Sequence, residues 1–79
     1  MSPTAFSDGA LRFFFFSREE ARLHIHVVSP VGEAKFWLEP EIELARSHGL
    51  SERDLTRARR LIVEREDVIR EAWAEHFGR

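Results

Sequence analysis

The sequence predicts an α+β fold, an antiparallel sheet of three to four strands in β-β-β-β-α order with one long C-terminal amphipathic helix packed on one face. Three observations predict it. Short runs between residues 11 and 44 alternate apolar and polar side chains, the period-two signature of a strand with two unlike faces. Turn-forming residues separate those runs. From Ser51 to Phe77 neither Gly nor Pro occurs, and apolar residues recur at helical spacing.

Met1 to Gly9, with Pro3, Ser7, Asp8 and Gly9, reads as an extended or frayed entry segment. That places the sheet over 10–46 and the helix over 51–77 of a single domain. Leu11 to Phe16 is aromatic and too short for a helix. Leu23 to Val28 and Ala34 to Leu38 alternate cleanly. Ser29-Pro30-Val31-Gly32 between them is turn chemistry, Pro fixing φ and Gly free to take φ > 0, so the two runs form a hairpin. After Pro40, Glu41 to Ala45 alternates again and is a fourth, short strand; Ser47-His48-Gly49 breaks its pattern. Ser51 is placed to N-cap the helix, with Glu52 and Asp54 in a first turn that favours anions. Leu55, Ile62, Ile69 and His76 recur every seven residues, widened by Ala58, Leu61, Val68, Ala72, Trp73 and Phe77. The stripe is wider than one sheet contact requires. Arg65 falls inside it, which calls for a snorkelling side chain or a bend between Glu64 and Asp67.

A chain of 79 residues buries only roughly 60% of the surface it exposes when unfolded, so its stability margin is thin. It has no cysteine, which removes disulfides and thiolate metal sites from consideration. Absent cysteine fits a reducing compartment. The N-terminal stretch lacks the pattern of a signal peptide, and no apolar run approaches the roughly 20 residues that span a bilayer. The cytoplasm is the expected location and no membrane partner is expected. Hydrophobic content of 43% and charged content of 33% are globular values and argue against disorder. A net charge of −2 lacks the basic excess of a typical nucleic-acid binder.

Alternation sorts the strand residues onto two faces. Leu11, Phe13, Phe15, Leu23, Ile25, Val27, Ala34, Phe36, Leu38, Ile42 and Leu44 form the core face under the helix. Arg12, Phe14, Phe16, His24, His26, Val28, Lys35, Trp37 and several glutamates form the other. A symmetric hairpin sets His26 opposite Lys35 and His24 opposite Trp37, with Phe14 beside His26 and Phe16 beside His24. One helix covers one face, so Phe14, Phe16 and Trp37 are expected to lie open, a patch that calls for a second copy or a small partner protein. Cross-strand aromatic pairs on a solvated sheet are the plainer reading.

His24-Ile25-His26 is the one arrangement with chemical character, because residues i and i+2 of a strand point the same way. The pair suits packing, a contact with a partner or nucleic acid, or a metal completed by Glu33 or Glu39. The candidate catalytic residues are His24, His26 and Lys35. The candidate binding residues are Phe14, Phe16, His24, His26, Lys35 and Trp37. No cofactor and no bound metal are expected. An acid–base pair of His26 and Glu39 is a further possibility. Ser17, Ser29 and Ser47 sit at turns, and the four glycines are too dispersed for a phosphate loop. His48 falls in a turn, and His76 with Arg79 complements the helix end. The sheet aromatics are similar to single-strand nucleic-acid platforms, but the glutamates on the same face disfavour an anionic ligand.

Arg12-Phe13-Phe14-Phe15-Phe16-Ser17, His24-Ile25-His26-Val27 and Ala34-Lys35-Phe36-Trp37-Leu38-Glu39-Pro40 together carry a resemblance. The chain resembles bacterial domain-of-unknown-function family 4160, from Pro3-Thr4 to Trp73 and Phe77-Gly78. The family commonly has proline just before the first histidine, where this chain has Leu23. The resemblance implies a small protein whose gene often neighbours that of family 2442, a pairing suggestive of a toxin–antitoxin module. It directs attention to His24, His26, Lys35 and Trp37. The leading expectation is therefore a protein-interaction domain, one component of such a pair. A small RNA binder or RNA-cleaving protein using His24 and His26 is the alternative, and a metal-binding module the third.

Overall fold

The computed structural model describes residues 4–16 and 21–78. Pro3, Ser17 and Arg79, named above, lie outside them. Five strands form one antiparallel meander, β1 (Thr4–Asp8), β2 (Leu11–Phe14), β3 (His24–Ser29), β4 (Gly32–Trp37) and β5 (Glu43–His48), each paired to its sequence neighbours. Two helices follow, α1 (Glu52–Glu64) and α2 (Glu66–Phe77). The fold class is the expected one, with one strand more and the helix in two pieces.

The extra strand is the entry segment. Its alternation is hidden by a bulge, since Thr4 faces Phe14 while Phe6 faces Phe13. The Phe6 ring stacks on Phe13 at 4.3 Å and 14°, which fixes the strand on the core side. Gly9, at φ 59°, turns the chain into β2. The last strand also differs from expectation. The Ile42 carbonyl accepts a hydrogen bond from Arg59 of α1 (3.0 Å), which commits that backbone to the helix layer. Pairing with β4 therefore starts at Glu43 and runs on through Ser47 and His48.

The β3–β4 hairpin has the expected register, His24 opposite Trp37 and His26 opposite Lys35. Ser29 Oγ accepts from the Val31 N–H (3.2 Å) in its turn. Gly32 is needed there for a different reason from φ freedom. A Cβ on it would stand 2.3 Å from the His48 carbonyl oxygen and 2.6 Å from the Gly49 carbonyl carbon. The hairpin tip thus lies backbone against backbone on the exit from β5.

Ser51 caps α1, its Oγ accepting from the Asp54 N–H at 3.1 Å. The helix breaks at Arg65, which leaves helical geometry at φ −117° and ψ 25°. Its guanidinium lies 5.0 Å from the centroid of Phe6. The bend accounts for the wide apolar stripe. Ala58, Leu61 and Ile62 of α1 and Ile69 and Trp73 of α2 are all buried, so two helix directions use what one could not. Leu61 is core, not a free helix edge, while Val68 is exposed. Gly78 ends α2 in the left-handed conformation at φ 73°.

The core face is as expected for Leu11, Phe13, Phe15, Leu23, Ile25, Val27, Ala34, Phe36 and Leu38, all buried; Ile42 and Leu44 are only partly so. Phe15, Trp73 and Phe77 form an aromatic hub where α2 meets the end of the sheet. Phe15 is fully buried, which contributes roughly 1.5–3 kcal/mol, while Phe77 is only partly buried. Glu39 and Glu66 both hold Arg70, by hydrogen bonds of 3.1 and 2.9 Å, tying the β4–β5 connection to α2. Those bonds, Glu39 first, raise the Arg70 pKa above its ordinary value. Among the described residues no helix is long and apolar enough to cross a membrane.

Candidate functional site

The second face of the sheet is not the open aromatic surface expected. Phe14 is buried and Trp37 half-buried, leaving Phe16 as the ring that stands out, at 43% exposure. The polar residues go inside with them: His24, His26 and Lys35 are exposed by 0, 5 and 4%. Among the described residues three contacts lie over the face. Trp73 of α2 reaches round the sheet end to place its ring edge-on 5.2 Å from His24. The Arg22 guanidinium lies 4.1 Å from the centroid of Trp37, and that of Arg12 lies 4.7 Å from Phe14.

Register arranges these groups in rows. One row runs across four strands as Phe14, His26, Lys35 and Arg46. His26 stacks on Phe14 (5.5 Å, 29°) and meets the edge of Phe16 (4.5 Å, 68°). Phe16 therefore sits over His26, where alternation had put it beside His24, because β2 ends at Phe14 and the chain beyond it leaves the ladder. The Lys35 ammonium is 4.3 Å from the Trp37 centroid. The next row is Arg12, Val28, Glu33 and His48. In the row on the other side His24 and Trp37 pair at 5.7 Å, followed by Glu43.

His24 is the best fixed of the set. Its Nδ1–H donates to the Arg22 carbonyl oxygen at 2.6 Å, which assigns the tautomer, and its ring is enclosed by His26, Trp37 and Trp73. A ring so enclosed positions its neighbours; His26 and Lys35 are the groups that reach a cavity. That cavity, of about 190 Å³, is lined by Phe14, Phe16, His26 and Lys35, with Glu33, Arg46 and His48 at its β5 side.

Arg46 and His48 are the site residues that alternation missed. Continued from Ile42 and Leu44, a regular strand would turn both toward the core. A bulge intervenes: Phe36 faces Leu44 while Lys35 faces Arg46, so Ala45 is the extra residue and Arg46 crosses to the Lys35 side. The recurrence of polar residues at 46 and 48 was the available signal.

The glutamates behave differently from expectation too. Glu39 is turned to Arg70, and Glu43 lies 3.8 Å from Arg22. Among the described residues Glu33 is the carboxylate that lines the cavity, across from His48. Among the described residues no three His, Asp or Glu side chains come together as metal ligands, so the set of two histidines and a carboxylate does not assemble there.

Residues 10–74 match the family model described as domain of unknown function DUF4160. The chain belongs to this family. The match is shorter at both ends than the resemblance implied: β1 and Phe77 of this DUF4160 domain lie outside it, while every residue lining the cavity lies within. No curated protein and no solved structure matches the chain.

Proposed function

We propose that this DUF4160 domain is a binding module whose second sheet face receives an anionic group in the cavity between Phe16, Lys35 and Arg46. One observation carries the reading. Lys35 and Arg46 stand directly opposite each other on β4 and β5, and both line the cavity. Two cationic side chains that line one cavity both attract an anionic group seated in it. Of the glutamates on this face, Glu39 and Glu43 are engaged by Arg70 and Arg22, while Glu33 lines the cavity on the side of His48. Thermal melts with inorganic pyrophosphate test it. Ligand at about 100 times its Kd stabilises by roughly 2.7 kcal/mol, and each kcal/mol raises the Tm of a domain this size by about 4–8 °C. Wild type should show that rise, and Arg46→Glu should not. No rise in wild type at any concentration rejects the site.

A second reading, docking of a small protein partner such as the other half of a toxin–antitoxin pair or a second copy, is favoured by exposed Phe16 at the cavity mouth. Aromatic anchors of this kind dominate interface energies. Light scattering on wild type and Phe16→Glu tests the second copy: a concentration-dependent dimer lost in the variant supports it, and a monomer throughout opposes it.

A further inference from the structure

We infer that the outer edge of β5 accepts an added strand, an extended segment of another protein that alternates acidic and apolar residues. The sheet has two edges, and they differ. At β1 the helices lie against the strand. Arg57 of α1 donates to the Asp8 carbonyl oxygen at 3.3 Å as well as to its carboxylate, and the Arg65 guanidinium is 5.0 Å from the ring centroid of buried Phe6. β5 has β4 as its one strand neighbour among the described residues, and all of Glu43–His48 except half-buried Leu44 is exposed. The N–H and C=O groups that point outward from such an edge are a template for another chain. Strand addition draws affinity from them and specificity from alternate side chains.

The two faces of β5 say which side chains the added strand carries. On the second face Glu43 is engaged by Arg22, whereas among the described residues no carboxylate lies in ion-pair range of exposed Arg46. A carboxylate on the added strand directly across from Arg46 answers that charge, and opposite charges in facing positions stabilise a sheet. On the core face Leu44 is only partly covered, while Ile25, Val27, Ala34 and Phe36 of β3 and β4 are exposed by 4% at most. An apolar residue beside Leu44 extends that cover. The bulge at Ala45 leaves Arg46–His48 as the regular stretch beyond it, about 10 Å of ladder, so side chains must supplement the backbone. A second copy fits less well. Two-fold antiparallel overlap of Arg46–His48 with the same residues of a copy sets each Arg46 across from a histidine, where no carboxylate meets it. The inference does not need an anion inside the cavity, since the added strand lies beside β5 and not between β4 and β5.

The experiment is calorimetric titration of the full chain with a ten-residue peptide that alternates glutamate and valine. Its lysine–valine counterpart, a peptide of the same glutamate–valine composition with the glutamates in one block, and inorganic pyrophosphate are titrated beside it. The alternating acidic peptide should bind wild type at least tenfold more tightly than the other two peptides. Hydrogen exchange at the β5 amides should slow in that complex, and exchange at β1 should not. Arg46→Glu should reverse the preference, losing the glutamate–valine peptide and taking the lysine–valine one, and Arg46→Gln should only lose. Thermal melts check that both variants fold; if Arg46→Glu does not, Arg46→Gln and exchange in wild type carry the test. Equal binding of the block peptide shows attraction of charge alone and overturns strand addition, as does binding that leaves β5 exchange unchanged. A wild-type dimer by light scattering, with β5 amides protected before any peptide is added, overturns it in favour of a second copy. No binding by any peptide overturns it too, and pyrophosphate binding in that case leaves the anion reading standing.

Discussion

Phe13, Ile25 and Phe36 on one face of the sheet are exposed by 0, 0 and 1%, while His24, His26 and Lys35 on the other are exposed by 0, 5 and 4%. Depth is the same and chemistry is not. The first set is buried by the helix layer of α1 and α2, and removal of apolar surface from water is the reason it is there. Around the second set lie long or flat side chains, Trp73 against His24, Arg22 over Trp37 and Arg12 over Phe14. Burying imidazoles and an ammonium costs free energy unless each finds a partner. His24 has the Arg22 carbonyl and Lys35 the face of Trp37, so their burial rests on such partners and not on removal of apolar surface from water. Two sides of one sheet can thus look alike in a burial profile and rest on different interactions.

The comparison can be broken most sharply at Phe36 and Trp37, neighbours that point to opposite faces. Phe36→Ala should cost about 3–5 kcal/mol, enough to threaten folding, and Trp37→Ala should cost less and leave a folded chain. Thermal melts decide, and a larger loss at Trp37 would mean that the two faces have been assigned the wrong way round. Gly32→Ala comes next. With a Cβ at 2.3 Å from the His48 carbonyl oxygen, the backbone must shift, and overpacking of this kind costs about 1–3 kcal/mol. Because Lys35 and Arg46 share the adjoining strands, the same change should weaken pyrophosphate binding, which Phe36→Leu should not. Ser51→Ala removes the α1 cap for about 1 kcal/mol. It belongs to the helix layer, so the midpoint in urea should fall with anion affinity unchanged. The smallest stability effect is expected at Phe16. Phe16→Glu should stay within about 0.5 kcal/mol of wild type and still abolish pyrophosphate binding, separating the proposed role of the second face from the fold.

Much of this was legible in the sequence, and the failures have specific causes. The core face and hairpin register follow from clean alternation in Leu23 to Val28 and Ala34 to Leu38, where one residue's slip would invert every side chain. Bulges defeat that logic. One at Ala5 concealed β1 and one at Ala45 sent Arg46 to the site. The break at Arg65 has no Gly or Pro to announce it, only an arginine in an apolar stripe. The closed second face was out of reach for another reason. It depends on α2 reaching past the sheet end and on guanidinium–ring contacts, and these are tertiary facts with no period of their own. The histidines were found by spacing, yet that His24 is enclosed while His26 meets a cavity could be learned only from packing.

The meander has a consequence for the order in which the structure can form. Every strand pairs with the one before it in the chain, so the sheet is built from short loop closures, the kind that fold fast. The distant contacts join the chain's beginning to its end: Arg57 to Asp8 across 49 residues, Arg65 over Phe6, and Trp73 and Phe77 on Phe15. On a ribosome the sheet can therefore zip up early, but its aromatic underside stays uncovered until the last helix emerges. During that interval Phe13, Phe15 and Phe36 present an apolar surface to whatever is nearby, and the vulnerable species in the life of this protein is the nascent chain that lacks α2.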